Sequence, residues 1–261
     1  MSLFALDVRR SPLGRVNPVT KLVATLVISV TLLLSIDPVS AGVALAATLV
    51  ALPFARLPFR QVWLRVQPVV AAAVIAGAAT VLYGRVSGTV YLEWGLVRIS
   101  DGSLDLAAAI VLRVLAIAVP SIVLFATSDP TDLADGLAQL LRLPAKFVLG
   151  ALAGLRLVGL LVADWRELGM ARRARGVADT GRIRRFLGQA FALLVLSLRR
   201  GTKLATAMEA RGFGVDTPRT WARRSTLGWR DAVLLLLAVG VAAASAAAAV
   251  VAGTWTFVFT L

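Results

Sequence analysis

Arg175 and Arg211 stand out by their setting. Each closes the string L-x-x-A-x-x-A-R-G, at residues 168–176 (LGMARRARG) and 36 positions later at residues 204–212 (LATAMEARG). The chemistry open to them is recognition. A guanidinium is planar, always charged, and able to satisfy several carbonyls or a carboxylate inside a groove. Small Ala174 and Ala210 beside the arginines leave room for a partner. Two equivalent pegs imply two equivalent sockets, such as a pair of homologous soluble subunits would supply. The plainer alternative is that both arginines serve topology and helix ends, since cations favour helix C-termini and Gly176 and Gly212 suit the position just past one. A single Ala-Arg-Gly triplet arises by chance roughly 0.3 times in a chain of this composition. The information therefore lies in the recurrence, with Leu168 matched by Leu204 and Ala171 by Ala207.

Little else in the chain suits covalent or metal chemistry. The 261 residues contain no Cys and no His, which removes disulfides, thiolate and imidazole metal sites, and the Ser-His-Asp and Cys-His nucleophile systems. Asp132-x-x-Asp135-Gly136 resembles the start of the CDP-alcohol phosphotransferase signature, but Gln139-Leu140 stands where Ala-Arg is needed and no second pair of spaced aspartates follows. Two carboxylates make a poor site for a divalent ion that takes about six oxygen ligands, so capping and turn roles are expected for Asp129, Asp132 and Asp135. No metal or cofactor is expected. No G-x-x-x-x-G-K-[ST] phosphate loop is present, and Arg200-Gly201-Thr202-Lys203 lacks its spacing, so the chain is not expected to hydrolyse ATP.

The elements that carry the two arginines must be helices, because Leu, Ala and Arg at i, i+3 and i+7 share one helical face. Around them the chain is membrane-like, with 59% hydrophobic residues and a mean hydropathy of +0.84. Five spans are expected, at about residues 19–36, 39–57, 66–83, 104–127 and 231–257, with a small external hairpin between the third and fourth. Residues 128–230 hold 18 basic and 8 acidic residues of a total 28 and 14, which assigns them, and the basic N-terminus, to the cytoplasmic side. Such charge beside apolar runs points to the lipid bilayer rather than nucleic acid. The expected organisation is N-terminal transmembrane helices at 1–127, a cytoplasmic coupling-helix region at 128–228 and a C-terminal transmembrane helix at 229–261. Within the middle region, a short helix starts at Pro130 and two long ones run at about 145–175 and 183–211. Their apolar halves sit at the membrane's inner surface or pack into it. Gly150-x-x-x-Gly154 permits a close helix crossing, or is a coincidence in a glycine-rich chain. Arg113, inside the fourth span, pairs internally or snorkels, or meets a partner.

These residues resemble the transmembrane T component of energy-coupling factor (ECF) type ABC transporters. The resemblance covers most of the chain and rests on residues 17–21 (NPVTK), Arg113, residues 127–130 (TSDP), and both triplets, the second inside residues 207–213 (AMEARGF). It implies an all-α polytopic membrane protein with long crossed cytoplasmic coupling helices ending in two Ala-Arg-Gly motifs. Arg175 and Arg211 would dock into grooves of two ABC-type ATPase subunits, and the helices' apolar surface would hold a membrane-embedded substrate-binding S component. Uptake of a vitamin or other micronutrient across a bacterial or archaeal plasma membrane would follow. The rivals are a lipid phosphotransferase-type membrane enzyme and a secondary transporter. The second lacks the mid-membrane ionisable groups and inverted repeats it needs, because Asp37, Glu93, Asp101 and Asp105 fall at or outside span ends.

Overall fold

A computed structural model describes residues 12–35, 37–84, 87–94, 97–176, 181–215 and 220–255. The chain divides into two compact units. One comprises Pro130–Ser225, and the other the described residues up to Asp129 together with those from Thr226 onward.

The larger unit is a helical bundle whose helices start where the sequence supplies caps. Helix α1 (Pro18–Leu34) has Asn17 as N-cap, its side chain accepting from Val19 N at 3.0 Å, and Pro18 in its first turn. Helix α2 (Pro38–Ala51) repeats the device with Asp37 and Pro38. Buried Asp37 accepts from Ser40 N (2.6 Å), Ser40 Oγ (2.7 Å) and Ser35 Oγ (2.6 Å), so the tight α1–α2 turn carries its own polar partners. A short 3-10 turn, Pro53–Ala55, leads to α3 (Phe59–Tyr83). Strands β1 (Val90–Trp94) and β2 (Val97–Ser100) form the expected hairpin, pairing Glu93 with Arg98 and Trp94 with Val97. Helix α4 (Asp101–Ala126) opens with a Ser100/Ser103 capping box, and α8 (Trp229–Val251) closes the bundle.

Small residues let these helices approach one another. Ala24, Ala44, Ala116 and Ala238 meet Ile28, Leu32 and Leu124 in one core, the packing mode of helices in lipid, where association rests on van der Waals contact between closely spaced backbones. At the α3–α4 contact the requirement is strict. A Cβ on Gly77 would lie 2.5 Å from Val111 Cγ2. Leu26, Leu33, Ile75 and Leu236 face outward, more than half exposed.

Among the described residues, five helical segments are long and apolar enough to cross a membrane: Pro38–Ala55, Phe59–Tyr83, Asp101–Ala126, Ala145–Ala174 and Trp229–Val251. The protein is an all-α polytopic membrane protein. The set differs from the five spans read from sequence. Helix α1 has 17 residues, about 26 Å at 1.5 Å per residue, a little less than a hydrocarbon core of about 30 Å. In its place stands the helix beginning at Ala145, whose apolar first half had been assigned to the membrane's inner surface or interior. Helix α3 also starts earlier than expected, because Pro68 lies inside the helix without ending it. Residue 36 and residues 256–257, the far ends of the expected first and last spans, lie outside the described residues.

The smaller unit contains α5 (Pro130–Gln139), α6 (Ala145–Ala174) and α7 (Arg182–Ala210). Ala134, Ala138 and Val148 pack with Leu137, Leu152 and Trp221. Gln139 ties α5 to the returning chain, donating to Arg223 O (2.8 Å) and accepting from Ser225 N (2.9 Å). Asp132 pairs with Arg223 at 3.5 Å. Gln139, where the sequence departs from the phosphotransferase motif, thus anchors this segment, and Asp132 of that motif adds an exposed ion pair.

Candidate functional site

The repeated strings end two helices in the same way. Arg175 is the C-cap of α6 and Arg211 that of α7, with φ of −88° and −91°. The next residues, Gly176 and Gly212, take left-handed φ of 69° and 77°. In α7 the Gly212 N–H donates to Glu209 O (2.9 Å) and the Phe213 N–H to Met208 O (2.9 Å), the two bonds of a Schellman motif. In α6 the Gly176 N–H donates to Arg173 O (3.0 Å), and its companion would come from residue 177, outside the described residues. Each glycine thus turns the chain sharply away from the arginine before it. Arg175 and Arg211 are exposed, as are Ala174 and Ala210, and neither guanidinium has a hydrogen bond or ion pair among the described residues.

The helices behind these ends run antiparallel and cross. At the crossing Arg200 grips Asp164 through both guanidinium nitrogens, one of the bonds at 3.0 Å. Asp164 is 6% exposed, so the bidentate pairing satisfies a carboxylate otherwise stripped of water. Buried Gln189 donates to Trp165 O and lies against Gly169, where a Cβ would stand 3.4 Å from Gln189 Nε2. Trp165 meets Phe186 edge to face, with centroids 5.5 Å apart. Arg172 reaches over to Gly188 O (2.9 Å) and Arg185 O (3.4 Å).

This geometry sets the spacing of the two arginines. Arg172 holds the end of α6 against the start of α7, while Arg211 lies at the far end of that 29-residue helix. At 1.5 Å per residue, Arg175 and Arg211 stand on the order of 35–40 Å apart, more than the diameter of a small domain. A single small groove does not take both.

The Asp164–Arg200 contact was not read from the sequence. Asp164 and Arg200 are 36 residues apart, each four residues before a copy of the repeat, so the contact joins corresponding points just outside the two strings. Opposite charge at these corresponding points was the signal available. Other expectations are refined. Leu168 and Leu204 are half-buried, and Ala171 and Ala207 are exposed. Among the described residues nothing lies within 4 Å of a Cβ built on Gly150 or Gly154.

Residues 17–21 have a defined structural part. Lys21, 1% exposed, donates its Nζ to Thr127 O (2.7 Å) and Thr127 Oγ1 (3.0 Å) at the carbonyl end of α4, where a cation is favoured. Asn17 N donates to Asp231 Oδ1 (2.7 Å) and Asn17 Nδ2 to Thr226 O (3.3 Å) at the start of α8. The end of α4 and the beginning of α8, between which the whole smaller unit is inserted, are both fastened to the first turn of α1. Arg113 Nε and Nη2 are buried without a hydrogen-bond partner among the described residues, and Asp37 is the carboxylate whose field reaches them.

Residues 9–220 match the family model CbiQ, described as cobalt transport protein. The chain is 30% identical over 241 residues to the energy-coupling factor transporter transmembrane protein EcfT of Limosilactobacillus fermentum, covering 88% of this chain and 89% of the relative. It is 28% identical over 242 residues to the protein of the same name from Brevibacillus brevis, covering 88% and 91%. Similarity to the Listeria monocytogenes protein EcfT 1 reaches 32% over 172 residues, covering 59% and 64%.

Proposed function

The chain belongs to the CbiQ family of transport proteins, and on that premise we propose that Arg175 and Arg211 are the two points at which ATP-driven motion enters it. The protein is the transmembrane component of an energy-coupling factor transporter. The observation that carries the reading of the arginines is their equivalence: two helix ends of like geometry, each presenting an exposed guanidinium without a partner among the described residues, separated by more than the diameter of a small domain.

In this reading each arginine enters a groove of one of two ABC-type ATPase subunits. Ala174 and Ala210 admit the groove wall, and Gly176 and Gly212 take the chain out of its way. Leu168, Ala171, Leu204 and Ala207 form the stripe behind each peg. ATP-driven closure shifts the two sockets and changes the angle between α6 and α7 about the Asp164–Arg200 contact. The exposed apolar residues of the same helices, among them Phe147, Leu155, Phe191 and Leu198, hold a membrane-embedded S component that carries a vitamin or other micronutrient. Gly150 and Gly154 leave room for its close approach. ATP hydrolysis belongs to the partners, and this chain needs no cofactor. The basic excess of residues 128–230 favours a cytoplasmic position for the ends of α6 and α7, and the basic N-terminus favours the same side, in a bacterium or archaeon.

Replacing both arginines by glutamate (R175E/R211E) is expected to abolish uptake and release the ATPases while the protein still inserts in the membrane, because each socket then faces the wrong charge. Copurification in mild detergent is the measurement. Undiminished retention of the ATPases by the double variant contradicts the proposal.

A further inference from the structure

The helical bundle contains a cavity that the coupling mechanism leaves unused. It has a volume of about 310 Å³ and lies among α1, α2, α4 and α8, with Ile28, Thr48, Leu124 and Ala238 among its walls. That volume is within the range of small-molecule sites. The lining is hydrocarbon apart from Thr48, whose hydroxyl is already committed to Ala44 O at 2.8 Å. A polar ligand finds no partner there. The space is partly open at the surface of the bundle, where Phe54 and Leu237 are exposed, and the apolar chains available to fill it in a bilayer are those of lipids.

Two short 3-10 turns, Pro12–Arg15 and Pro53–Ala55, pack on each other and contribute Leu13 and Ala55 to the lining. Each turn delivers an arginine. Arg15 is the last residue of the first, and Arg56 caps the second with φ of 50°. Both are exposed, and neither has a hydrogen bond or ion pair from its side chain among the described residues. The left-handed φ of Arg56 carries a cost for a residue with a Cβ.

We propose that this cavity is a binding site for an anionic phospholipid, one acyl chain occupying the hydrocarbon-lined space and the phosphate lying between Arg15 and Arg56. The two guanidinium groups supply charge-assisted hydrogen bonds to the phosphate oxygens, and a second negative charge on the headgroup is not required. A zwitterionic headgroup carries its own cation into the same basic rim and is disfavoured. The preference therefore resides in the headgroup, and the affinity common to all phospholipids in the cavity.

The test is native mass spectrometry of the delipidated full-length protein, titrated in parallel with phosphatidylglycerol and phosphatidylcholine of the same acyl chains. The expected result is a preference for phosphatidylglycerol on the order of tenfold. In R15Q/R56Q, two surface changes that leave the core untouched, the preference disappears and phosphatidylcholine binding stays as in the wild type. Ala51→Trp, at an exposed position of the cavity lining, reduces retention of both lipids. Equal retention of the two lipids by the wild type overturns the proposal. So does a phosphatidylglycerol preference that survives in R15Q/R56Q.

Discussion

At the scale of single residues, the side chains doing the most structural work are charged and buried. Lys21 fills the carbonyl end of α4, and its loss leaves Thr127 O without that donor inside the bundle. Lys21→Met is expected to destabilise the purified protein by about 1–3 kcal/mol, read as an earlier thermal transition in detergent. An unchanged transition would show that the bond contributes nothing. At the helix crossing the order of effects is the informative quantity. Arg200→Ala strands a buried carboxylate, whereas Asp164→Ala frees a guanidinium that is already 37% exposed, so the arginine variant should be the less stable of the two. A double-mutant cycle should give a coupling of about 1 kcal/mol, modest because solvent screens the exposed side. Arg175 and Arg211 were legible in the sequence because the chain writes them twice. Lys21 was legible only as part of a motif. Its partner lies 106 residues away, and no local pattern encodes such a pairing.

At the scale of elements, the helix ends followed from composition: Asn17-Pro18 and Asp37-Pro38 start helices, and the two glycines stop them, because capping is a local interaction. The lengths of the spans were less legible. Apolar composition does not say where a helix stops being covered by lipid, so α6 and α1 exchanged places in the set of membrane-length helices. The α3–α4 contact through Gly77 left no trace, since a glycine in an apolar run has many readings. The C-terminal glycines give a test of how sharply the pegs must be presented. Gly212→Ala places a Cβ at φ 77° and should cost about 1–2 kcal/mol in that turn. ATPase copurification should fall in this variant and recover in Gly212→Asn, because asparagine tolerates the left-handed region. Equal behaviour of the two variants would show that the turn does not govern docking.

At the scale of the molecule, the chain is suited to distance measurement because it has no native cysteine. Spin labels on Ala174→Cys and Ala210→Cys should give a mean separation on the order of 35–40 Å in the isolated protein. In the assembled transporter, ATP should shift that distance. A fixed distance through the nucleotide cycle would exclude a changing angle between α6 and α7. The attachment of α8 to α1 was not legible in the sequence, since nothing local in residues 229–251 names the helix they pack against. The fastening of Thr127 and Thr226 to the same first turn of α1 has a further consequence. Lys21 and Asn17 are four residues apart, about 6 Å along the helix, so the two cut ends of the bundle are neighbours that a linker of about five residues would join. Residues 130–225 are in that sense a cassette set into an otherwise continuous fold.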